Sequence, residues 1–284
     1  MGKILIIITT IFCIILSLDA KPNRDILSIT PLSQNAKNSY IITQRDILAK
    51  YRIFSAVPKH GDVKSIIFLL DGNAHFPIAL NILAQSQASH IALIGVGYAK
   101  DIAYDVANRR LDYTPKVTKK ELQNDDRFYN GGGAQSFFRI LNQDIIPQYI
   151  SKYKHAKKIL FGHSFGGLFC LYTYFNHSSS FDSYYCASAS LWWGEGEILN
   201  SLNNLKSNPK LTLSIAELEK PQKHGYSPID INGLYNILKQ REKNVDFVIF
   251  KDRNHGNVIA DAIKNMLSKN GVILKEWFQV EIYG

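Results

Sequence analysis

The feature that most constrains the fold of this chain is a repeated alternation of short apolar runs and longer amphipathic stretches. Near-continuous apolar runs such as Ser65–Leu70 and 90–96 are typical of strands buried on both faces of a sheet. Further strands are predicted at 51–57, which alternates like an antiparallel strand, and at 158–161, Ser183–Ala187, 211–216 and Val245–Phe250. Helices are predicted between them at 76–85, 134–153, 167–176, 229–243 and 257–268. This alternation predicts an α/β protein with a mostly parallel central sheet and helices on both faces.

A pentapeptide at residues 162–166 carries the strongest chemical signal. Gly162-His163-Ser164-Phe165-Gly166 fits the pattern G-x-S-x-G, with a predicted strand before it and a predicted helix after it. In the α/β-hydrolase fold this arrangement is a tight, strained turn that exposes a serine hydroxyl above the sheet. We therefore predict an α/β-hydrolase fold with Ser164 as the nucleophile. A turn of small residues without chemistry is the alternative.

A serine nucleophile needs a general base, and in this fold the chain order is serine, acid, histidine. His255 follows the last predicted strand and is the expected base. Two glutamates follow the strand at 211–216. Glu217 is the preferred acid and Glu219 the alternative, and a Ser–His dyad without an acid remains open.

The oxyanion of the tetrahedral intermediate requires two backbone N–H donors. One is expected from Phe165, the residue after the nucleophile. The other is expected from Asn73, in the Asp71-Gly72-Asn73 loop that follows the strand at 65–70.

The segment 99–133 interrupts the alternation. It is long, polar and aromatic, and it leaves the carboxyl end of the strand at 90–96, where ligands bind in such sheets. Long connections of this kind are usually functional loops. We interpret it as a substrate-binding insertion that includes Arg109, Arg110 and Tyr113, with a solvated insertion as the alternative.

The first twenty residues have the pattern of an export signal. Lys3 precedes an uncharged apolar run, and Leu18-Asp19-Ala20 offers a cleavage point. Residues 1–20 are predicted to be a signal peptide, or an uncleaved anchor, and 21–284 a single domain. The protein is therefore expected in the periplasm. Cys170 and Cys186 lie in apolar segments, and buried free thiols are preferred there over a disulfide.

The formal net charge is +9. No block of lysines and arginines interleaved with aromatic residues indicates nucleic acid, and an export signal argues against it. The charge favours a small anionic substrate. Contact with a membrane is expected only through an uncleaved N-terminal segment.

Several motifs occur together in a recognisable order. They are Leu70-Asp71-Gly72-Asn73, 109–115 (RRLDYTP), Gly131-Gly132-Gly133-Ala134, the pentapeptide at 162–166, Ser188-Ala189-Ser190-Leu191-Trp192-Trp193 and Asn254-His255-Gly256. Over roughly residues 51–268 the chain resembles the esterase-D-like esterases. Within these it is most similar to the periplasmic trilactone esterases that cut enterobactin and salmochelin.

The resemblance implies a serine esterase that opens the ester bonds of a cyclic tri-serine catecholate siderophore and so helps iron release. Ser164 matches the family nucleophile and His255 its base. Arg109 or Arg110 matches an arginine facing the catecholates, and Trp192 and Trp193 match an aromatic wall. The periplasmic members are thought to use a Ser–His dyad, and Ala216 replaces a glycine that other members have before the glutamates.

No metal and no organic cofactor is expected, since any iron arrives with the substrate. Two other functions stay open. One is hydrolysis of a different small acyl or sugar ester. The other, of a different class, is non-catalytic binding of ferric catecholates on an esterase scaffold.

Overall fold

The central sheet contains every strand that the sequence predicts. The computed structural model describes residues 29–86, 88–219, 226–274 and 280–283, so the predicted signal peptide lies outside the described residues. The strands are β1 (Tyr40–Ile47), β2 (Tyr51–Pro58), β3 (Ser65–Leu70), β4 (Ile91–Tyr98), β5 (Lys157–His163), β6 (Ser183–Ala187), β7 (Lys210–Ala216), β8 (Val245–Phe250) and β9 (Val280–Tyr283). In the described part of the chain they form one sheet in the order β1-β2-β4-β3-β5-β6-β7-β8-β9.

The sheet is parallel through its centre and antiparallel at its edges. The strands from β4 through β3, β5, β6 and β7 to β8 pair in parallel, whereas β1, β2 and β9 pair antiparallel. All residues of β3 and β4 are buried, which explains their continuous apolar sequences. The prediction of a mostly parallel α/β-hydrolase sheet is confirmed.

Helices cover both faces of this sheet. They are α1 (Gln34–Ser39), α2 (Gly72–Gln85), α3 (Val106–Tyr113), α4 (Ala134–Ile140), α5 (Ile146–Ile150), α6 (Phe165–Asn176), α7 (Ile231–Gln240) and α8 (Ile259–Lys269), with a π-helical stretch, Leu141–Ile145, between α4 and α5. One apolar core contains buried residues of α3, α4, α6 and α7, and the other contains residues of α1, α2 and α8. In the described ranges, no helix combines the length and apolar character needed to cross a membrane.

The topology brings the predicted chemical groups to one edge of the sheet. Asp71 follows β3, Ser164 follows β5, the two glutamates follow β7 and His255 follows β8. Because β3, β5, β7 and β8 are parallel members of one sheet, their carboxyl ends lie at the same edge. The site therefore lies where ligands bind in sheets of this type.

The two cysteines of the described chain form a disulfide. Cys170 in α6 and Cys186 in β6 are both fully buried, their Cα atoms are 5.4 Å apart, and their sulfurs are bonded. The sequence prediction of two buried free thiols is therefore wrong. Burial in an apolar core was predicted correctly, but burial alone does not tell a thiol from a disulfide when a helix packs directly on a neighbouring strand.

Loss of this disulfide should lower the free energy of unfolding. The bridge spans 16 positions, and closing a loop of about 15 residues is worth about 3 kcal/mol. We expect the Cys170→Ala/Cys186→Ala variant to unfold at lower urea concentration than the oxidised wild type. Dithiothreitol should lower the free energy of unfolding of the wild type and leave that of the double variant unchanged. Two alkylatable thiols in untreated, denatured wild type would contradict the disulfide.

Candidate active site

Ser164 lies on a sharp turn between β5 and α6. Its φ and ψ are 61° and −119°, a strained conformation for a residue that is not glycine. The turn has no room for a side chain at Gly162, where a Cβ atom would lie 2.0 Å from the carbonyl oxygen of Gly166. The glycine at position 162 thus has a direct steric cause, and the turn, called the elbow below, has the tight, strained geometry that the motif predicts.

The backbone of Ser164 is held by the strand next to β5. Its N–H donates to the Ala187 carbonyl (3.0 Å), and its own carbonyl accepts from the N–H of Ser190 (3.2 Å). The hydroxyl of Ser190 lies 3.4 Å from that of Ser164. Sequence reasoning assigned no role to Ser190. The sequence signal that could have indicated Ser190 is its position just beyond β6, the strand that pairs with β5.

His255 is paired with Glu219. Its Nδ1 lies 2.6 Å from Glu219 Oε1, and each side chain is only 12% exposed. A carboxylate at Nδ1 holds the imidazole in the tautomer whose Nε2 can accept a proton, and it stabilises the imidazolium that follows. His255 is also close to the elbow, since its ring centroid is 4.7 Å from that of His163, the residue before Ser164.

The preference for Glu217 as the acid is corrected by this geometry. Glu217 is exposed, and its Oε2 accepts the backbone N–H of Asp252 at 2.9 Å. The chain turns immediately after β7, where the N–H of Glu219 donates to the carbonyl of Ala216. This turn directs the second glutamate, and not the first, toward His255.

Two further histidines lie buried beneath the site. Burial holds the pKa of His163 well below its ordinary value, and the neighbouring His255, His75 and Arg109 add to the effect. Burial also lowers the pKa of His75, whose Nδ1 lies 2.9 Å from the Leu70 carbonyl. His75 is fully buried, so its side chain is not open to substrate.

The two buried histidines should make stability depend on pH. Their folded-state pKa values lie below the ordinary value of about 6.5, so the unfolded chain binds the extra protons more readily. Their contribution is therefore complete above about pH 6.5 and is lost as pH falls, by up to about 1.4 kcal/mol per pH unit for each histidine. Urea unfolding between about pH 7.5 and 5.5 measures this slope.

A variant pair isolates the histidine contribution. His163→Gln should flatten the slope, whereas His60→Gln, at an exposed position, should retain it. Equal slopes in wild type and His163→Gln would show that His163 does not titrate as its burial requires.

The expected oxyanion donors lie at the first turns of two helices. Phe165 is the first residue of α6, and Asn73 is the second residue of α2. The first N–H groups of a helix have no carbonyl partner within it, and the helix dipole favours negative charge there. The Asn73 side chain bonds the backbone of Tyr98 and Lys100, which ties its loop to the end of β4.

Three of the residues expected to bind substrate are instead buried. Arg109 is 7% exposed and donates two hydrogen bonds to Asp71, and Tyr113 is fully buried in the core. Trp193 is 1% exposed, and its Nε1 donates to the Pro115 carbonyl. The prediction that these three side chains contact substrate is wrong because they face inward from helices and turns that the sequence did not reveal.

Arg110 and Trp192 remain partly exposed. Trp192 packs against Phe165 (ring centroids 5.6 Å apart) and against Phe128 of the 99–133 segment (6.4 Å). Through Trp192, the insertion therefore reaches the residue next to Ser164. Its α3 also packs on α6.

The described residues offer no arrangement for a metal. No group of three or more His, Cys, Asp or Glu side chains among them could hold a metal ion. The site as described is built from a serine, an imidazole, a carboxylate and backbone donors.

Comparison with known proteins identifies the family. The family model described as "Putative esterase" matches residues 59–225, which is more than half of the chain. The chain belongs to this esterase family. It is thus a hydrolase of α/β-hydrolase fold, and the family match includes the Asp71-Gly72-Asn73 loop and the turn at Ser164.

Two relatives of this esterase are similar over most of its length. It is 29% identical over 234 residues to the apo-salmochelin esterase of Escherichia coli O6:H1. The aligned region covers 76% of this chain and 73% of the relative. It is 25% identical over 251 residues to the ferri-bacillibactin esterase BesA of Bacillus subtilis, covering 80% and 86%.

Solved structures agree with the fold of the esterase. The enterobactin and salmochelin hydrolase IroE matches with a TM-score of 0.62 at 25% identity, covering 82% of this chain and 95% of the other. The siderophore hydrolase EstA from Aspergillus nidulans matches with a TM-score of 0.68 at 23% identity, covering 86% and 99%. At that lower identity the likeness concerns the fold alone.

Proposed function

We propose that this esterase hydrolyses the ester bonds of a catecholate siderophore such as enterobactin, with Ser164 as its nucleophile. One observation carries the proposal: a strained serine elbow and a His255–Glu219 pair lie at one sheet edge in a chain similar to named siderophore esterases. The arrangement supplies a nucleophile, a base and an orienting acid, which are the parts that acyl transfer requires.

The reaction runs through an acyl-enzyme. Nε2 of His255 takes the Ser164 proton as Oγ attacks the ester carbonyl, and the N–H groups of Asn73 and Phe165 hold the oxyanion. The protonated imidazole then gives its proton to the leaving alcohol oxygen. Water, deprotonated by His255, releases the acid and regenerates Ser164, while Glu219 stabilises the imidazolium in both halves.

Two buried donors suit an oxygen-rich substrate. Nε of Arg110 and Nε1 of Trp192 are buried atoms without a hydrogen-bond partner in the described residues. Buried donors in proteins are nearly always paired, so both are suited to acceptor oxygens of a bound ligand. The part-exposed face of Trp192 also suits stacking against a catechol ring.

The net charge of the chain suits a ferric catecholate. A ferric tris-catecholate carries a net charge of about −3, which complements the +9 chain. Iron enters this account as part of the substrate.

Two independent features support an exported protein. The signal-peptide pattern at residues 1–20 indicates export, and the disulfide suits an oxidising compartment. We therefore place the protein in the periplasm, where a siderophore ester would be opened after uptake across an outer membrane.

Product analysis tests the substrate proposal. Iron-free and ferric enterobactin are incubated with the enzyme beside a panel of p-nitrophenyl esters, and products are followed by mass spectrometry. We expect linear products that gain one water for each ester opened, and a higher kcat/KM on enterobactin than on any simple ester. Intact enterobactin beside rapid p-nitrophenyl ester hydrolysis would assign the enzyme to another ester.

A further inference from the structure

A buried ion pair lies directly behind the oxyanion loop. Nε and Nη2 of Arg109 each donate to an oxygen of the Asp71 carboxylate at 2.9 Å, and Asp71 is only 2% exposed. A fork of two bonds fixes direction as well as distance. Buried ion pairs contribute little net stability, because desolvation offsets their attraction. We therefore expect this ion pair to have a role other than stabilising the fold.

Asp71 holds an unusual backbone conformation. Its φ and ψ are 52° and 46°, in the left-handed region that residues other than glycine rarely adopt. Its N–H donates to the hydroxyl of Tyr113 at 3.1 Å. The next residue, Gly72, is pressed against β4, where a Cβ would lie 2.6 Å from the Gly95 carbonyl carbon. The backbone that leads into Asn73 is thus held by Tyr113 on one side and by β4 on the other.

The same ion pair also contacts the other half of the oxyanion site. The Arg109 guanidinium lies 5.5 Å from the ring centroid of Phe165. Asp71 Oδ2 lies 3.4 Å from the position that a Cβ on Gly166 would occupy, so the carboxylate packs against the first turn of α6. One pair of charges therefore touches the segments that present both expected donors, Asn73 and Phe165.

We propose that Arg109 and Tyr113 are positioning residues that hold the two oxyanion donors at their working separation through Asp71. This inference rests on the proposed function, since it assumes that Ser164 attacks an ester. Oxyanion donors must lie within about 2.7–3.1 Å of the position of the developing charge. A displacement of about 1 Å costs about 10²-fold in rate.

Two conservative substitutions test the proposal. Arg109→Lys keeps the charge and loses the two-pronged geometry, and Tyr113→Phe removes only the hydroxyl that accepts the Asp71 N–H. We expect kcat to fall by about 10²-fold in Arg109→Lys and less in Tyr113→Phe, with KM nearly unchanged. The inhibition constant of phenylboronic acid, which forms a tetrahedral adduct with a reactive serine, should rise in parallel. The pH profile should keep its shape because His255 and Glu219 are untouched.

Tyr184→Phe is the matched control. The Tyr184 hydroxyl is also buried and donates to backbone carbonyls of His177 and Ser178, at a distance from the site. This variant should lose thermal stability with unchanged kcat and boronate affinity.

Three results are decisive. Wild-type kcat in folded Arg109→Lys and Tyr113→Phe would overturn the proposal. A rise in KM at constant kcat would also overturn it, in favour of direct substrate contact. If the wild type hydrolyses no ester, the proposed function itself is wrong. This outcome is measured on the wild type alone, so it is distinguishable from the other two.

Discussion

Replacing Ser164 with alanine is expected to lower kcat/KM for enterobactin by roughly 10⁴- to 10⁶-fold. The substitution removes the hydroxyl that forms the acyl-enzyme and leaves the neighbouring contacts of the elbow in place. The elbow's backbone bonds to Ala187, Leu168 and Ser190 involve main-chain atoms, so the fold should be retained. Residual turnover should come from the oxyanion donors and substrate binding alone. Chromatography of the products measures the loss.

Ser188→Ala is the matched control for this substitution. Ser188 is also a buried serine with a positive φ, 42°, and it lies at the end of β6, next to the site. The same change of serine to alanine there should leave kcat/KM near that of the wild type. Retention of more than a tenth of the activity in Ser164→Ala would exclude Ser164 as the nucleophile.

Replacing Glu219 with glutamine is expected to lower kcat by roughly 10³- to 10⁴-fold. The amide has the same shape but carries no charge to stabilise the His255 imidazolium. Its NH₂ group can also donate to Nδ1, which favours the unproductive tautomer. Glu219 contacts the base, His255, at 2.6 Å. The effect should therefore fall on kcat, because the substitution alters proton transfer by His255.

Glu217→Gln separates the two glutamates. Its remaining carbonyl can still accept the Asp252 N–H that Glu217 Oε2 accepts, so kcat should stay near the wild-type value. If Glu219→Gln retains kcat within about tenfold of wild type, the enzyme works as the Ser–His dyad that the sequence left open.

The sequence predicted the parts of the fold that rest on apolar continuity. Both Ser183–Ala187 and Val245–Phe250 begin and end where predicted, because strands that are mostly buried leave little choice of residue type. The elbow was equally readable, since the spacing of glycines around Ser164 has a steric cause.

The sequence could not reveal α3, and with it the burial of Arg109 and Tyr113. The buried face of this helix, with its N-cap, consists of Asp105, Arg109, Asp112 and Tyr113. The spacing is helical, but mostly polar residues occupy it, so hydrophobic periodicity gives no signal. Charged residues on such a segment suggest a solvated loop, whereas here the charged side chains of this face are buried and each is ion-paired.

The sequence prediction of Glu217 instead of Glu219 was wrong for a local reason. The two residues are separated by Leu218, whose N–H donates to the Arg253 carbonyl, and the turn after Ala216 decides which carboxylate faces His255. The disulfide is a similar case, because the pairing of Cys170 with Cys186 depends on how α6 lies against β6.

The measurement that tests the serine mechanism most directly is peptide mass mapping after inhibition by diisopropyl fluorophosphate. The reagent traps an activated serine as a stable phosphoryl ester, and the enzyme is assayed on enterobactin before and after treatment. We predict complete loss of hydrolysis in step with a single adduct on the peptide that contains Ser164. Complete inhibition with Ser164 unmodified, or full modification of Ser164 with hydrolysis retained, would contradict it.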